Sequence, residues 1–414
     1  MIASSVVTSE ATQRPVQTLS PAPVTQSDKV IPAYYLVNAV LDVAIPRGAS
    51  KDRILRGTGI FDDSLTVNTR ISAKQCIALF SNVRGQCKGN DVSFLIGKSL
   101  GGVWLREDIA NIKRSQNLEQ AIEALTAIRW GSIPLVSFKR FSLQDKYIWV
   151  LQDTMGCEKR GAHKLWPFIA ELYLSMLVAL LKQWTGTRLP LSFTIDSERP
   201  RNVQDFETYL GLRVAFHSPL MSITLPKSCM TSAFPFADDK AGNVQGNVQG
   251  DVQGDVQGDI QGDVQGDIQG DVQGDIQGDV QGDIQGDVQG DIQGEAQRSL
   301  AYQQTPASPQ DTPNLSLLDY IRIQTLQEPQ KGLADLARNL GCSTATLKRK
   351  LSDHNYTYRG LSEEARRQQA IVLLALKKLN NEQSASQMAF SDLPNFRRTI
   401  KRLTGLTPSE LRAR

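Results

Sequence analysis

The sequence predicts a multidomain chain: an α-rich α+β N-terminal domain, a disordered repeat linker, and an all-α C-terminal domain with two helix-turn-helix units. Three observations carry this. A perfect tetrapeptide array runs from Asn243 to Gly294. Charge divides at its borders: residues 1–242 hold 28 basic and 21 acidic side chains, residues 243–313 hold 1 and 13, and residues 314–414 hold 17 and 9. After the array, apolar spacing is helical throughout. The overall net charge of +3 conceals this split. A small, strongly basic unit suggests a polyanion partner, most often nucleic acid.

Composition removes other classes. The five cysteines, Cys76, Cys87, Cys157, Cys229 and Cys342, are odd in number and form no CxxC pair. A disulfide framework or cysteine zinc site is therefore not expected. The histidines, His163, His217 and His354, are isolated, so no metal site is expected either. The N-terminus lacks the basic start and apolar core of a signal peptide. The most apolar helical run, Phe168 to Leu181, falls short of the ~20 residues that span a bilayer. These readings point to a soluble cytoplasmic protein with no membrane partner.

Residues 1–29 are polar and read as a disordered tail. Residues 30–236 form the first domain. Lys51–Leu55, Ser72–Asn82 and Leu118–Arg129 carry helical apolar spacing, and Asn117 is a fair N-cap for the last. Between Pro134 and Leu151, apolar residues alternate as in half-buried strands. Trp166–Trp184 follows as a long apolar helix, central to the core. Leu191–Ile195 and Ser222–Leu225 are strand candidates. Asp153, Cys157 and Glu158 form no base–nucleophile arrangement, so no catalytic residue and no cofactor is assigned and an enzyme is not expected. His163 near Trp166, and Arg129–Trp130, could line a pocket but suit packing or surface positions better.

Residues 237–313 read as a flexible acidic linker around the array of residues 243–294. Its thirteen units of Asn/Asp–Val/Ile–Gln–Gly place Gly at every fourth residue. Each Gly penalises a helix by roughly 1 kcal/mol. One small apolar residue in four cannot offset chain entropy. The period does not match the nine-residue calcium-binding β-helix repeat.

In residues 314–414, Leu333, Leu336, Ala337 and Leu340 share one helix face. Gly341 follows where a left-handed residue is wanted, and Ser343 can cap a second helix, Thr344–Leu351. That helix buries Leu347 and Leu351, while Ala345, Lys348 and Arg349 point away and Thr346 lies on the flank. The arrangement repeats. Ser391 or Asp392 can cap Leu393–Leu403, with Phe396, Ile400 and Leu403 inside. Leu393 and Pro394 open that helix, and Pro394, Arg397, Arg398 and Lys401 point outward. Between the units, Ser362–Lys378 forms a connecting helix of ~25 Å, able to place two recognition helices about one DNA turn apart.

Leu333–Leu351, Arg366–Leu374 and Phe390–Arg412 together resemble the DNA-binding domain of AraC/XylS transcription regulators. Phe390-Ser391-Asp392, Phe396, Arg398, Thr404-Gly405 and Thr407-Pro408 fall in the family's order and spacing. The resemblance implies base-edge contacts to double-stranded DNA from Ala345, Lys348 and Arg349 in the first unit. In the second, it implies them from Leu393, Pro394, Arg397 and Arg398. One departure matters: Asn381 and Ser384 stand where the family pattern has core aliphatics. Residues 30–236 more loosely resemble the effector-binding domain of the arabinose-binding-like branch, through Tyr209-Leu210-Gly211, Val214, Phe216 and Phe234–Asp238. That likeness implies a small-molecule effector, a homodimer and RNA polymerase as partners. An architectural DNA-binding protein without effector response is the alternative.

Overall fold

The computed structural model describes residues 22–103, 112, 114–127, 133–157, 165–231 and 315–413. The tail up to residue 21, the repeat linker, Arg129–Trp130, Glu158 and His163 lie outside the described residues.

The N-terminal domain is built round the apolar helix that the sequence marks as central. A short antiparallel pair, β1 (Lys29–Pro32) and β2 (Arg70–Ser72), encloses helices α1 (Tyr34–Ala44) and α2 (Lys51–Leu55), and α3 (Ala73–Gln86), α4 (Val92–Val103) and α5 (Leu118–Ala127) follow. Ser72 caps α3 through a reciprocal pair with Gln75, and Asn117 accepts from Gln120 N at 3.0 Å at the start of α5. Strands β3 (Val136–Ser142) and β4 (Lys146–Asp153) then form a hairpin. The central helix α6 (Trp166–Thr185) is followed by β5 (Ser192–Thr194), α7 (Val203–Tyr209), β6 (Val214–Ala215) and β7 (Ser222–Pro226). The five-stranded sheet has the order β3-β4-β7-β5-β6, antiparallel except for the β5–β6 pair.

Helix α6 buries residues on every side, from Trp166 and Phe168 to Leu181 and Trp184. Its closest neighbour is α4, and glycine permits the approach. A Cβ at Gly97 would lie 2.1 Å from the Leu172 carbonyl oxygen, and one at Gly101 would lie 3.0 Å from that of Met176. Backbone cannot yield at such distances, so the two helices pack only because α4 has no side chain there.

The C-terminal domain contains α8 (Leu317–Gln327), α9 (Leu333–Asn339), α10 (Thr344–Asp353), α11 (Tyr358–Ile371), α12 (Asn381–Gln387), α13 (Leu393–Thr404) and α14 (Pro408–Ala413). The connecting helix begins at Tyr358, four residues earlier than its apolar pattern suggests, because Thr357 caps it by accepting from Gly360 N at 3.1 Å. Beyond Ile371 it widens into a π-helical turn over Val372–Leu376. Two small cores result. Leu317, Ile321, Leu336, Leu347, Leu351 and Leu361 form one; Ala370–Leu374, Ala385, Phe396, Ile400 and Leu411 belong to the other. Helix α11 contributes to both.

The two domains meet along β4. Trp149 and Leu151 point into the N-terminal core, whereas Ile148 and Val150 join the core that holds Ala370–Ala375 and Phe396. Beside this seam Arg322, only 4% exposed, donates to the Asp153 carbonyl at 2.6 Å. It also pairs with Asp319 at 3.3 Å and Glu364 at 3.6 Å. Burial works against its charge, but Glu364, Tyr356, Asp319 and Asp153 outweigh it and hold the guanidinium ionised. Asn355 donates to the Gly156 carbonyl at 2.8 Å.

Residues 22–29, read from composition as part of a tail, also belong to this seam. Val24 is 2% exposed; its N–H donates to Leu315 O and its carbonyl accepts from Leu317 N, both at 2.9 Å. The polar composition misled because these residues are satisfied by partners some three hundred positions away.

His354 closes the seam. Its Nδ1 lies 2.7 Å from the Lys350 carbonyl and its Nε2 accepts from Gln26 N–H at 3.1 Å. These partners fix the neutral tautomer with the proton on Nδ1. A second proton would set an N–H on Nε2 against the Gln26 N–H. Burial pushes the His354 pKa down, against the smaller opposing pull of the Lys350 carbonyl, Asp153, Asp353 and Asp28. The unfolded chain therefore takes up this proton first as pH falls below ~6.5, and the contribution present above that pH is lost on acidification. We expect the melting temperature of the full chain to fall more steeply between about pH 7.5 and about pH 5.5 than that of His354→Gln. Parallel pH profiles for the two proteins would contradict this.

Candidate nucleic-acid interface

Helix α10 begins at a cap supplied by Ser343, whose Oγ accepts from Thr346 N at 3.1 Å. The preceding turn uses Gly341 at φ +62°, in the left-handed region where glycine carries no Cβ penalty. Leu347 and Leu351 anchor the helix from below. This leaves Ala345, Lys348 and Arg349 exposed on the outer face, as their spacing requires, with Thr346 half-buried beside them. The Thr346 hydroxyl lies 3.0 Å from Ser343 Oγ, so it takes part in the cap.

Helix α13 repeats the design. Asp392, rather than Ser391, is its cap and accepts from Asn395 N at 2.7 Å. Pro394 occupies the first turn, where a missing N–H leaves nothing unpaired. Phe396 and Ile400 are fully buried, and Gly405 ends the helix at φ +76°. Pro394, Arg397, Arg398 and Lys401 are exposed, and Leu393 is half-buried against the core.

Both outer faces are basic. The side chains of Lys348, Arg349, Arg397 and Lys401 have neither an ion pair nor a hydrogen bond among the described residues. Arg398 touches only the Pro394 carbonyl, at 3.4 Å. Arg402, absent from the sequence-based site, is also exposed but already occupied: it reaches Glu363 on α11 at 2.8 Å. Arg402, assisted by Arg359, holds the Glu363 carboxyl below its usual range. Four cations without a partner among the described residues thus lie exposed on two capped helices. Helix α11, shared by both small cores, fixes the spacing between these faces.

The sequence places Asn381 and Ser384 at core positions of the second helix pair, and the structure separates them. Ser384 is fully buried, and its Oγ has no hydrogen-bond partner among the described residues. Asn381 sits at the helix start, where Oδ1 accepts from Arg412 at 2.8 Å. The tight turn of this pair puts Ala389 at φ +56°, where the first pair has glycine.

Among the described residues, no group of histidines, cysteines and carboxylates could hold a metal ion. No described helix is long and apolar enough to cross a membrane.

Residues 336–414 match the family model described as "Helix-turn-helix domain". The chain is 27% identical over 90 residues to the HTH-type transcriptional regulator VqsM of Pseudomonas aeruginosa, which covers 22% of this chain and 28% of that protein. The match thus spans little more than a quarter of the relative's length. Among solved structures, the transcriptional regulator CdpR of Pseudomonas aeruginosa aligns over 92% of this chain and 98% of its own, at 17% identity and a TM-score of 0.33. A DNA-binding transcriptional dual regulator of Escherichia coli K-12 aligns over 23% of this chain and 85% of its own, at 25% identity and a TM-score of 0.21.

The second helix pair carries two local costs, a buried unpaired hydroxyl and a left-handed alanine. An unsatisfied buried polar group costs ~1–3 kcal/mol, and a left-handed non-glycine residue ~1–2 kcal/mol. Ser384→Ala and Ala389→Gly should each therefore stabilise the C-terminal domain, by about 1 kcal/mol. Denaturant unfolding of the full chain checks this. A loss of stability in Ser384→Ala would mean that the hydroxyl has a partner in solution.

Proposed function

The C-terminal unit is an AraC-type helix-turn-helix domain, and from it we propose that this chain is a cytoplasmic, ligand-responsive transcription factor that reads specific DNA sequences. The α9–α10 and α12–α13 pairs act as two reading units in successive major grooves of one duplex. The observation that carries this is the repeated outer face: a capped helix, anchored by two buried apolar residues, presenting cations that no group among the described residues neutralises. Arg349 makes the main base contact, with Ala345 and Lys348 beside it. Arg397 and Arg398 read the second groove, where Leu393 and Pro394 can meet only thymine methyls. Lys401 faces phosphate, and Thr346 supports the first unit by completing its cap.

The N-terminal domain is the sensor. A small-molecule effector, a second copy of the chain and RNA polymerase complete the partners of this reading. Tight docking of sensor on reader along β4 supports it, since a domain that only tethered DNA would need no such seam. An architectural role is the outcome to be tested against it.

The test begins with duplexes selected from a random pool by the full chain. Arg349→Ala should lose ~1–3 kcal/mol of binding to the selected site and relax preference at one base position. Equal weakening on every duplex would restrict Arg349 to phosphate. A wild-type chain that selects no sequence at all would favour the architectural role.

A further inference from the structure

One carboxylate sits among the cations of the second reading unit. Glu363 lies on α11, two residues beyond Leu361 of the first small core. Its Oε1 accepts from two arginines at once: from Arg402 Nη1 at 2.8 Å and from Arg359 Nε at 3.4 Å. Arg359 is a helical neighbour one turn back, so period alone brings it there. Arg402 comes from another helix, the last turn of α13. Arg338 on α9 shows the local case, pairing with Asp335 inside its own turn. The Arg402 pair exists only because the fold sets α13 against α11.

Arg402 follows Arg398 by four residues and so shares its face of the helix. Its side chain is 57% exposed and that of Arg359 is 85% exposed, so a phosphate can reach either one. The neighbouring Arg397 and Lys401 have no partner among the described residues, whereas Arg402 has one. Arg402, with Arg359, holds the Glu363 carboxyl below its usual range, so it is ionised at neutral pH. A negative charge in contact with a guanidinium offsets much of what that guanidinium offers a polyanion.

An exposed pair of this kind contributes little to stability. Its consequence is for binding. Loose binding to any duplex is almost wholly electrostatic and strengthens with each cation that meets a phosphate. A duplex held only by its phosphates can slide until every free cation is matched. A duplex held by base contacts is fixed in register, so an extra free cation adds less to it.

We propose that Glu363 is a specificity-determining residue: by occupying Arg402, and Arg359 with it, Glu363 withholds two cations from the phosphates of non-matching duplexes and widens the gap between specific and loose binding. This role rests on the reading of the chain as a sequence-specific DNA-binding protein.

The test titrates the full chain with two duplexes, one carrying the selected site and one of scrambled sequence, over a range of salt. Glu363→Gln keeps the shape of the side chain and removes its charge. It should bind the scrambled duplex at least about three-fold more tightly at low salt, with a slope of log affinity against log salt steeper by about one to two. The selected site should gain less, so the ratio of the two affinities falls. Arg402→Ala should leave the scrambled-duplex slope nearly as in wild type, because Arg402 is already occupied. The double variant Glu363→Gln/Arg402→Ala should lose about half of the added slope. Asp353→Asn removes the same charge from the exposed end of α10, where Asp353 takes no ion pair among the described residues, and should strengthen loose binding less than Glu363→Gln does. Equal gains on both duplexes, or weaker binding by Glu363→Gln, would overturn the role. So would a slope shallower by about one in Arg402→Ala, which would mean that Arg402 meets a phosphate despite Glu363; this arm decides alone if Glu363→Gln does not fold. A wild-type chain that binds both duplexes alike would instead overturn the sequence-specific reading, and the role with it.

Discussion

One strand has no solvent face, and the arrangement of the molecule follows from that. β4 alternates Ile148 and Val150 toward the reader with Trp149 and Leu151 toward the sensor core. Strand geometry forces the alternation, and a slip of one residue would exchange the two sets. The register with β3 and β7 is therefore fixed from both sides. Around this strand the seam is polar and specific. Arg322 is buried among Asp319, Glu364 and the Asp153 carbonyl, and Gly156 leaves room for the His354 backbone, which a Cβ there would meet at 1.9 Å. A buried charge cluster adds little net stability over apolar packing, but it penalises any other docking geometry that leaves a charge unpaired. The seam thus selects one relative placement of the two domains.

That placement leaves the basic faces free. Contacts to the sensor come from α8, from α11 and its π-helical end, and from His354 and Asn355 just beyond α10. Lys348, Arg349, Arg397 and Lys401 stay exposed. Docking therefore acts on how the two helix pairs are held and does not cover what they present. The pairs are unequal as well. Both are capped, but the first turns on Gly341, whereas the second turns on Ala389 and buries the Ser384 hydroxyl. A unit with less stability in reserve is the one whose position a docked domain can shift most easily.

Much of the fold is legible in the sequence wherever local rules decide it. Helices with a strong apolar period and a capping residue, such as those after Asn117 and Ser343, begin where the spacing puts them. The alternation between Pro134 and Leu151 does become the β3–β4 hairpin. The outward positions of both candidate recognition helices are exposed because period alone sets them. What stays hidden depends on distant partners. Helix α4 has three glycines that lower its local propensity, and only its contact with Leu172 and Met176 explains Gly97 and Gly101. Residues 22–29 look like tail until Leu315 and Leu317 are placed beside them. Asn381 matches a core position in the linear pattern, but it sits half-buried at the helix start and accepts from Arg412. The burial of β4 on both faces is legible too, in the unbroken apolar run Tyr147–Leu151, but only when every residue of the strand is read and not just alternate ones.

The central claim is that α10 and α13 enter successive major grooves of one duplex, held apart by α11. Hydroxyl-radical footprinting of the full chain on a selected site tests it most directly. The account predicts two protected stretches on one face of the duplex, centred about one helical turn (~10 base pairs) apart. A single protected stretch the width of one groove, unchanged when Arg397 and Arg398 are both replaced by Ala, would contradict it.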